Sequence, residues 1–366
     1  MTESRINKRV VVAMSGGVDS SVAAALLVEE GYEVIGVSLK LWDYDESERQ
    51  LKGKTCCSLD DIADAKDVCD TLGIPFYAFN HKPEFKKSVI DVFVSEYQKG
   101  RTPNPCVLCN RDIKFHVLLE EARKLGAAYL ATGHYARVDQ DAAGRYHLSK
   151  GVDATKDQSY VLFHLNQDDL QRVLLPLGKY KKTEIRALAE RYNLVTKNKK
   201  ESMEICFIPN NDHAAFIKKN YPEFKHGAGN FIDTKGVVLG THGGIDTFTI
   251  GQRRGLGQGF GGERMYVAEL RAATNEVVLA RDDEVYFSGV IGTGFHFLQT
   301  PIKKQYGVKI RYQQDELPAE IIRYDPERSE IELKFLKTAR AVTPGQALVL
   351  YDNDEVIGGG WIETSV

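Results

Sequence analysis

Val10-Val11-Val12-Ala13-Met14-Ser15-Gly16-Gly17-Val18-Asp19-Ser20-Ser21 decides the fold of this chain. An apolar run enters a short polar loop and leaves into residues 21–30, which pattern as a helix. The order is therefore strand, tight loop, helix. Two adjacent glycines let the backbone turn sharply and present its N–H groups. The helix that follows adds the positive end of its dipole. Together these form a cradle for a phosphate chain. Ser15, Ser20 and Ser21 can add hydroxyl donors, and Asp19 can hold a Mg²⁺ that bridges phosphates. The plainer alternative is a glycine-rich turn with no ligand.

Two common nucleotide loops are excluded. The P-loop of kinases and GTPases needs a lysine before its Ser/Thr, and Asp19 stands there instead. No Gly-x-Gly-x-x-Gly fingerprint is present. The string resembles the SGGxDS motif of the PP-loop, or N-type ATP pyrophosphatase, superfamily. That resemblance implies cleavage of ATP to AMP and pyrophosphate, with the adenylate passed to a substrate oxygen.

Length and charge bound the rest. A chain of 366 residues suggests two or three domains. No apolar run is long enough to span a membrane, and residues 1–6 lack a signal-peptide core, so the expected location is cytoplasmic. The net charge of −3 gives no global sign of a nucleic-acid partner. Locally, residues 179–200 set Lys179, Lys181, Lys182, Arg186, Arg191, Lys197, Lys199 and Lys200 against Glu184 and Glu190. Such a run reads either as a phosphate-binding surface or as a solvated helix face.

From residue 9 to about 132 strands alternate with helices. Strand-like segments are 10–14, 33–39, 76–79 and 129–132; helix-like segments are 21–30, 59–72, 84–99 and 113–124. Gly31, Gly73 and Gly126 fall where helix C-caps belong. The alternation predicts an α/β fold, a doubly wound parallel sheet covered on both faces. Ligands of such sheets collect at the carboxyl ends of the strands, where Ser15–Ser20 and the string Ala131-Thr132-Gly133-His134-Tyr135 lie. A hairpin follows over 136–148 with its turn at 139–144, then helical stretches near 167–174 and 182–192. Glycine becomes dense over 227–267. Beyond about 285 short alternating segments at 308–312, 319–324, 330–335, 347–351 and 358–362 predict a small antiparallel β-barrel or sandwich. The expected domains are 1–211, catalytic; 212–281, a small central domain; and 282–366, the C-terminal barrel.

Six cysteines are present. In a large chain of this kind they are reactive or metal-binding more often than a disulfide framework. Cys106 and Cys109 form Cys-x-x-Cys in a segment, 101–110, that two prolines predict to be an ordered non-helical loop. Cys206 is the third candidate. Cys56, Cys57 and Cys69 read as incidental or buried thiols. An ATP-splitting loop beside reactive cysteines points to one chemistry: a carbonyl oxygen is activated as an adenylate, and a thiolate or persulfide sulfur replaces it.

At this point the chain is identified as resembling the tRNA-specific 2-thiouridylases of the MnmA type. Co-linear strings at 14–21, 100–110, 113–115, 131–135, 156–160, 205–208, 250–257 and 343–346 carry the resemblance. It implies a PP-loop domain, a small central domain and a C-terminal β-barrel. It implies that Ala13, Met14, Ser15, Gly16, Gly17, Val18, Asp19 and Ser20 bind ATP, with Leu39 and Gly133 bordering adenine and ribose. Cys109 matches the nucleophile and Cys206 the persulfide carrier. Asn104, Pro105 and Cys106 match the loop that touches the target uridine. His134, Lys156, Asp157 and Gln158 match tRNA contacts, as do Arg311, Tyr312 and Gln346 in the barrel. The partners implied are a tRNA with a wobble uridine and a sulfur donor, either a cysteine desulfurase or a relay protein.

Read without the resemblance, His134 would cap a strand end in the core, 156–158 would be an exposed turn, Arg311 and Tyr312 ordinary strand residues, and 251–257 a flexible loop. Within it, Arg253 and Arg254 are candidate phosphate contacts.

The sequence also departs from the family pattern. Many members carry an aspartate, proposed as general base, where Cys106 stands, so a thiolate would have to take that role. Cys106, Cys109 and Cys206 also resemble the three-thiolate set that holds a [4Fe–4S] cluster in other tRNA thiolases. The competing functional classes are thiolation through such a cluster, an amide or C–N ligase acting on a small molecule, and an RNA-binding protein with a relic nucleotide site.

Overall fold

A computed structural model describes residues 8–43, 58–200, 205–208, 212–224, 227–257, 260 and 262–366. Cys56 and Cys57 lie outside the described residues. The chain divides into two compact units. One comprises Met1–Val89, Cys106–Asn211 and Asp354–Val356; the other comprises Ile90–Pro105, Asp212–Asn353 and Ile357–Val366.

The first unit is built on five parallel strands: β1 (Arg9–Ala13), β2 (Glu33–Lys40), β3 (Phe76–Asn80), β4 (Tyr129–Ala131) and β7 (Val173–Leu174). Their spatial order is β3-β2-β1-β4-β7. The order reverses between β1 and β4, and this is where an open parallel sheet binds ligands. The first four strands fall where the hydrophobic runs predicted them. The fifth does not: the stretch expected to be helical at 167–174 is a single turn, Gln167–Leu170, followed by the two-residue strand β7.

Val10, Val11 and Val12 are fully buried, as a central strand covered on both faces requires. Each is worth about 1.5–3 kcal/mol of burial. Val10, Val12 and Met14 pack beneath helices α1 (Val18–Glu29), α2 (Leu59–Leu72) and α3 (Lys182–Arg191). The helix Leu118–Lys124 meets β1 and β4. Helix α2 starts with a capping box, Ser58 with Asp61, and ends at Gly73 in the left-handed region. The hairpin is β5 (Ala136–Gln140) with β6 (Tyr146–Lys150). Its turn is set by Asp141 Oδ1, which accepts from the N–H groups of Ala143 and Arg145.

The expected loop at 101–110 is corrected. Helical conformation begins at Pro105, runs through Leu108 and continues as a π-helix over Cys109–Val117. Proline at the first helical position loses no intrahelical bond, so it starts a helix rather than preventing one. The helix expected at 113–124 therefore begins eight residues early.

The second unit holds a four-stranded sheet of β8 (Gly229–Asp233), β9 (Val238–His242), β10 (Tyr266–Arg271) and β11 (Glu276–Ala280), in the order β10-β11-β8-β9. Ile250 and Leu256 are buried in its core, so the 251–257 stretch is anchored at both ends rather than being a free loop. The barrel has six antiparallel strands: β12 (Tyr286–Phe297), β13 (Gln305–Lys309), β14 (Leu317–Asp325), β15 (Glu330–Arg340), β16 (Ala347–Asp352) and β17 (Glu355–Ser365). They run in the order β12-β15-β14-β13-β16-β17, and pairing of β12 with β17 closes the ring. The strand expected at 308–312 ends at Lys309, which puts Arg311 and Tyr312 in the turn before β14.

Gly36 in β2 packs against α2. A Cβ there would lie 2.4 Å from Cys69 Sγ. Burial pushes the Cys69 thiol up to about 12, so Cys69 is an inert packing group. Gly36→Ala is expected to cost about 1–3 kcal/mol by overpacking. Combining it with Cys69→Ala should recover part of that loss. Urea denaturation of the four chains of this cycle measures the coupling, expected above about 0.5 kcal/mol.

Candidate active site

The loop after β1 is shaped by close backbone approaches. Gly16 has φ +69, and a Cβ on it would lie 2.1 Å from the Asp61 carbonyl oxygen at the start of α2. A Cβ on Gly133, just beyond β4, would lie 2.8 Å from the Ser20 nitrogen in the first turn of α1. Only glycine fits either position. Inside the loop Ser20 Oγ donates to the Gly17 carbonyl, accepts from the Ser15 N–H, and lies 3.2 Å from Ser15 Oγ. Ser21 Oγ donates to the same carbonyl at 2.8 Å. Gly17 is the N-cap of α1 and makes no side-chain cap bond, which leaves that helix end to a ligand's oxygens. Met14 and Leu39 are buried at the ends of β1 and β2.

Asp19 lies in the first turn of α1 and faces two partners the sequence did not assign to it. Lys182 Nζ sits 2.8 Å from each of its carboxylate oxygens, and the Tyr135 hydroxyl donates to Oδ1 at 2.7 Å. Both partners are themselves held. Asp153 Oδ2 accepts from the Lys182 N–H at 2.9 Å. Gln158 Oε1 accepts from the Tyr135 N–H at 3.0 Å. Asp157 is buried and accepts from the Gly151 and Ser159 N–H groups and the Ser159 hydroxyl. The exposed turn expected at 156–158 is thus a buried brace for the loop, although Lys156 itself stays half-exposed.

Much of the basic run is paired inside its own unit. Lys179 pairs with Glu30 and Arg191 with Glu29. Lys199 pairs with Asp61 and Asp64. Arg186 donates to the Lys197 and Lys199 carbonyls. The run ties α3 and residues 196–199 to α1 and α2, with Thr196 Oγ1 donating to Ser21 Oγ.

The three candidate thiols differ in exposure: Cys106 is exposed, Cys109 buried and Cys206 half-buried. Cys206 precedes Phe207, which is buried edge-on against Phe85. Among the described residues no group of three or more His, Cys, Asp or Glu side chains is arranged to hold a metal. The donor set a [4Fe–4S] cluster needs is therefore not assembled among the described residues.

His134 is buried at 7% exposure. Its Nδ1 lies 2.7 Å from Thr132 Oγ1, and its ring stacks on Phe115. Burial, then Lys114 and His164, hold its pKa well below the ordinary imidazole value. In the second unit Gln346 Nε2 donates to the Thr102 and Pro103 carbonyls, directly before Asn104 and Pro105. Arg311 Nη2 donates to the Ala341 carbonyl and Thr343 Oγ1. Tyr312 is exposed, as are Arg253 and Arg254.

Comparison with known proteins completes the assignment. Family models match three stretches: tRNA methyl transferase HUP domain over residues 8–210, tRNA methyl transferase PRC-barrel domain over 214–281, and aminomethyltransferase beta-barrel domain over 288–362. The tRNA-specific 2-thiouridylase MnmA of Geotalea uraniireducens is 51% identical over 372 residues, spanning 100% of this chain and 98% of that protein. The chain belongs to the MnmA family. The MnmA of Carboxydothermus hydrogenoformans is 49% identical over 97% of this chain and 98% of its own length. That of Caldicellulosiruptor saccharolyticus is 44% identical over 99% of this chain and 100% of its own. Sequence reasoning reached the MnmA strings but missed what Lys182, Tyr135 and Asp153 do. One signal was available: an aspartate where a P-loop has lysine needs a cation from elsewhere.

His134 makes a pH prediction. Below about pH 6.5 the unfolded chain takes up a proton that folded His134 refuses, so this residue lowers stability as the pH falls from there. His134→Gln should flatten the dependence of stability on pH below 6.5 by up to about 1.4 kcal/mol per pH unit. Urea midpoints of both chains between pH 5 and 7 measure the difference.

Proposed function

We propose that this chain is an ATP-dependent tRNA uridine 2-sulfurtransferase. One observation carries the reading: a phosphate loop at the switch point of the sheet shares its unit with Cys109 and Cys206, in a chain about half identical to MnmA proteins end to end. The "methyl transferase" in the family-model descriptions fits less well than the 2-thiouridylase activity named for the relatives that match this chain end to end. The proposed catalytic, central and barrel divisions are 1–211, 212–281 and 282–366, in line with the three family matches.

Residues 13–20 hold the triphosphate, and Leu39 and Gly133 border the nucleoside. Asp19 is the carboxylate that would hold a Mg²⁺ brought in with ATP, and the ion would neutralise charge on the phosphates. The wobble uridine leaves the anticodon loop to reach the pocket. Its O2 attacks the α-phosphorus, pyrophosphate departs, and the N3 proton passes to a base for which exposed Cys106 is the candidate. The terminal sulfur of a Cys206 persulfide then attacks C2 and expels AMP. Cys109 thiolate attacks Cys206 Sγ, which leaves 2-thiouridine and a Cys109–Cys206 disulfide; an external thiol reductant resets the pair. The persulfide sulfur comes from a desulfurase or relay protein. Tyr312, Lys156, Arg253 and Arg254 are exposed or half-exposed and suit phosphate contact. Asn104, Pro105, His134, Asp157, Gln158, Arg311 and Gln346 act from less exposed or internally bonded positions. No described helix is long and apolar enough to cross a membrane.

Thiolation of tRNA transcripts with ATP and a persulfide donor, a cysteine desulfurase supplied with cysteine, read by nucleoside mass spectrometry, tests this function. Cys109→Ser and Cys206→Ser should each lower 2-thiouridine by more than about 10³-fold while ATP affinity stays within about twofold. Intact thiolation in either variant would overturn the role given to that cysteine, and absence of 2-thiouridine with the wild-type chain would overturn the proposed function. Cys106→Asp should preserve thiolation and shift its pH profile toward acid, whereas Cys106→Ala should lower the rate about 10²-fold or more.

A further inference from the structure

Residues 100–103 lead into Asn104 and Pro105, and they are fixed to several different neighbours. A Cβ on Gly100, which has φ +70, would lie 2.8 Å from the Leu270 carbonyl oxygen in β10. The Thr102 N–H donates to the Pro344 carbonyl at 2.9 Å, and the Thr102 and Pro103 carbonyls accept from Gln346 Nε2. Between these anchors Arg101 spreads its guanidinium over three partners. Nε lies 2.8 Å from Glu96 Oε2 on the helix Asp91–Gln98. Nη1 donates to Glu363 Oε2 at 2.9 Å and Nη2 to the Ile362 carbonyl at 3.0 Å, both in β17. All of these residues belong to the second unit.

We propose that Arg101 is a positioning residue for thiolation: its three-way fork fixes the path of the chain into Asn104, Pro105 and Cys106, which meet the target uridine. The inference rests on the tRNA thiolation reading above and extends it to a residue given no contact with RNA or ATP there. Charge is the first argument. The Arg101 side chain is only 19% exposed and lies between the carboxylates of Glu96 and Glu363. Lys99 Nζ takes the other Glu96 oxygen at 2.8 Å. Two cations thus balance two anions, and no surplus positive charge is left to attract a phosphate. Connectivity is the second. The Ile362 carbonyl that Arg101 reaches also accepts from the Gly345 N–H at 2.9 Å, and the Ile362 N–H donates to the Gln346 carbonyl at 2.8 Å. Arg101 and Gln346 therefore grip successive residues of one segment from two mutually bonded stretches of the barrel, which closes a ring of hydrogen bonds. Side-chain shape is the third. A planar fork can meet a helix carboxylate, a strand carboxylate and a carbonyl together; the point charge of a lysine cannot. Asn104 thus starts from a fixed place, and a displacement of about 1 Å at such a place costs about 10²-fold in rate.

A group that only stabilises the fold moves the melting temperature and leaves turnover of the folded chain unchanged. A positioning residue lowers kcat while substrate affinity holds. The full chain and its variants are given ATP, a tRNA transcript and a cysteine desulfurase supplied with cysteine, at a temperature where circular dichroism shows each to be folded. Both kcat and KM for tRNA are read from 2-thiouridine formed. Arg101→Met should lower kcat about 10- to 100-fold and keep KM for tRNA and the affinity for ATP within about threefold. Arg101→Lys keeps the charge but not the fork, and its kcat should stay within about threefold of that of Arg101→Met. An unchanged kcat in folded Arg101→Met would overturn the proposal. So would a loss confined to KM, which would make Arg101 an RNA contact, or a wild-type kcat in Arg101→Lys. Should Arg101→Met not fold, Glu363→Gln removes one arm of the fork at an exposed position; its kcat should fall about three- to tenfold, and the same outcomes decide. If wild type forms no 2-thiouridine, the thiolation reading fails and takes this inference with it. If wild type is active and the variants match it, only the role of Arg101 fails.

Discussion

Two backbones reach the loop around the first turn of α1 more closely than any side chain would allow. One is the start of α2, whose Asp61 carbonyl would meet a Cβ on Gly16; the other follows β4, where a Cβ on Gly133 would meet the Ser20 nitrogen. This crowding is the constraint on which the catalytic unit depends. It brings the carboxyl ends of β1 and β4 and the N-termini of α1 and α2 to one place, so several backbone dipoles converge where phosphate oxygens are expected. Much of the rest serves to hold those elements there. The Ser58 capping box fixes the start of α2, and β7 supports the end of β4 through the Leu174 carbonyl, which accepts from the Thr132 N–H.

Charge follows from the same crowding. An anion-attracting helix end that carries Asp19 needs a counter-ion, and the fold supplies Lys182 from α3. That supply requires Asp153 to pin the first turn of α3 and Gln158 to orient Tyr135. Residues 153–159 therefore act on the phosphate loop although none of them belongs to it. Lys199 has a comparable role at α2: its ammonium bridges Asp61 and Asp64 just before the segment that carries Cys206. Burial disfavours its charge, but the two carboxylates outweigh that and raise its pKa.

How much of this was legible in the sequence depends on the range of the interaction. Four of the five parallel strands, α1 and α2, and the phosphate loop were readable because their signals are local: apolar runs, caps and paired glycines. The two-residue strand β7 carries too little pattern to separate it from the turn before it. Pro105 misled because proline ends helices and also starts them, and only the chain beyond it tells which. Arg311 and Tyr312 shifted from strand to turn because alternation places a strand but not its last residue. The Asp19–Lys182 pair spans 163 residues, and a local charge count could see the lysine but not its partner.

The barrel shows why a residue's family role and its internal bonds need not compete. Gln346 donates through its amide nitrogen to the Thr102 carbonyl and to that of Pro103. Backbone at Gly345 approaches Thr102 so closely that a Cβ would lie 2.8 Å from the Thr102 oxygen, and the Thr102 N–H donates to the Pro344 carbonyl. Arg311 braces the same corner through Thr343. The short run before Asn104 and Pro105 is thereby clamped on its backbone. Because the clamp acts through carbonyls and N–H groups, it fixes where Asn104 sits without calling on that side chain. A segment fixed in this way does not have to be ordered anew, which would cost backbone entropy of about 1–2 kcal/mol per residue. Gln346 and Arg311 thus hold this corner of the second unit from within the barrel.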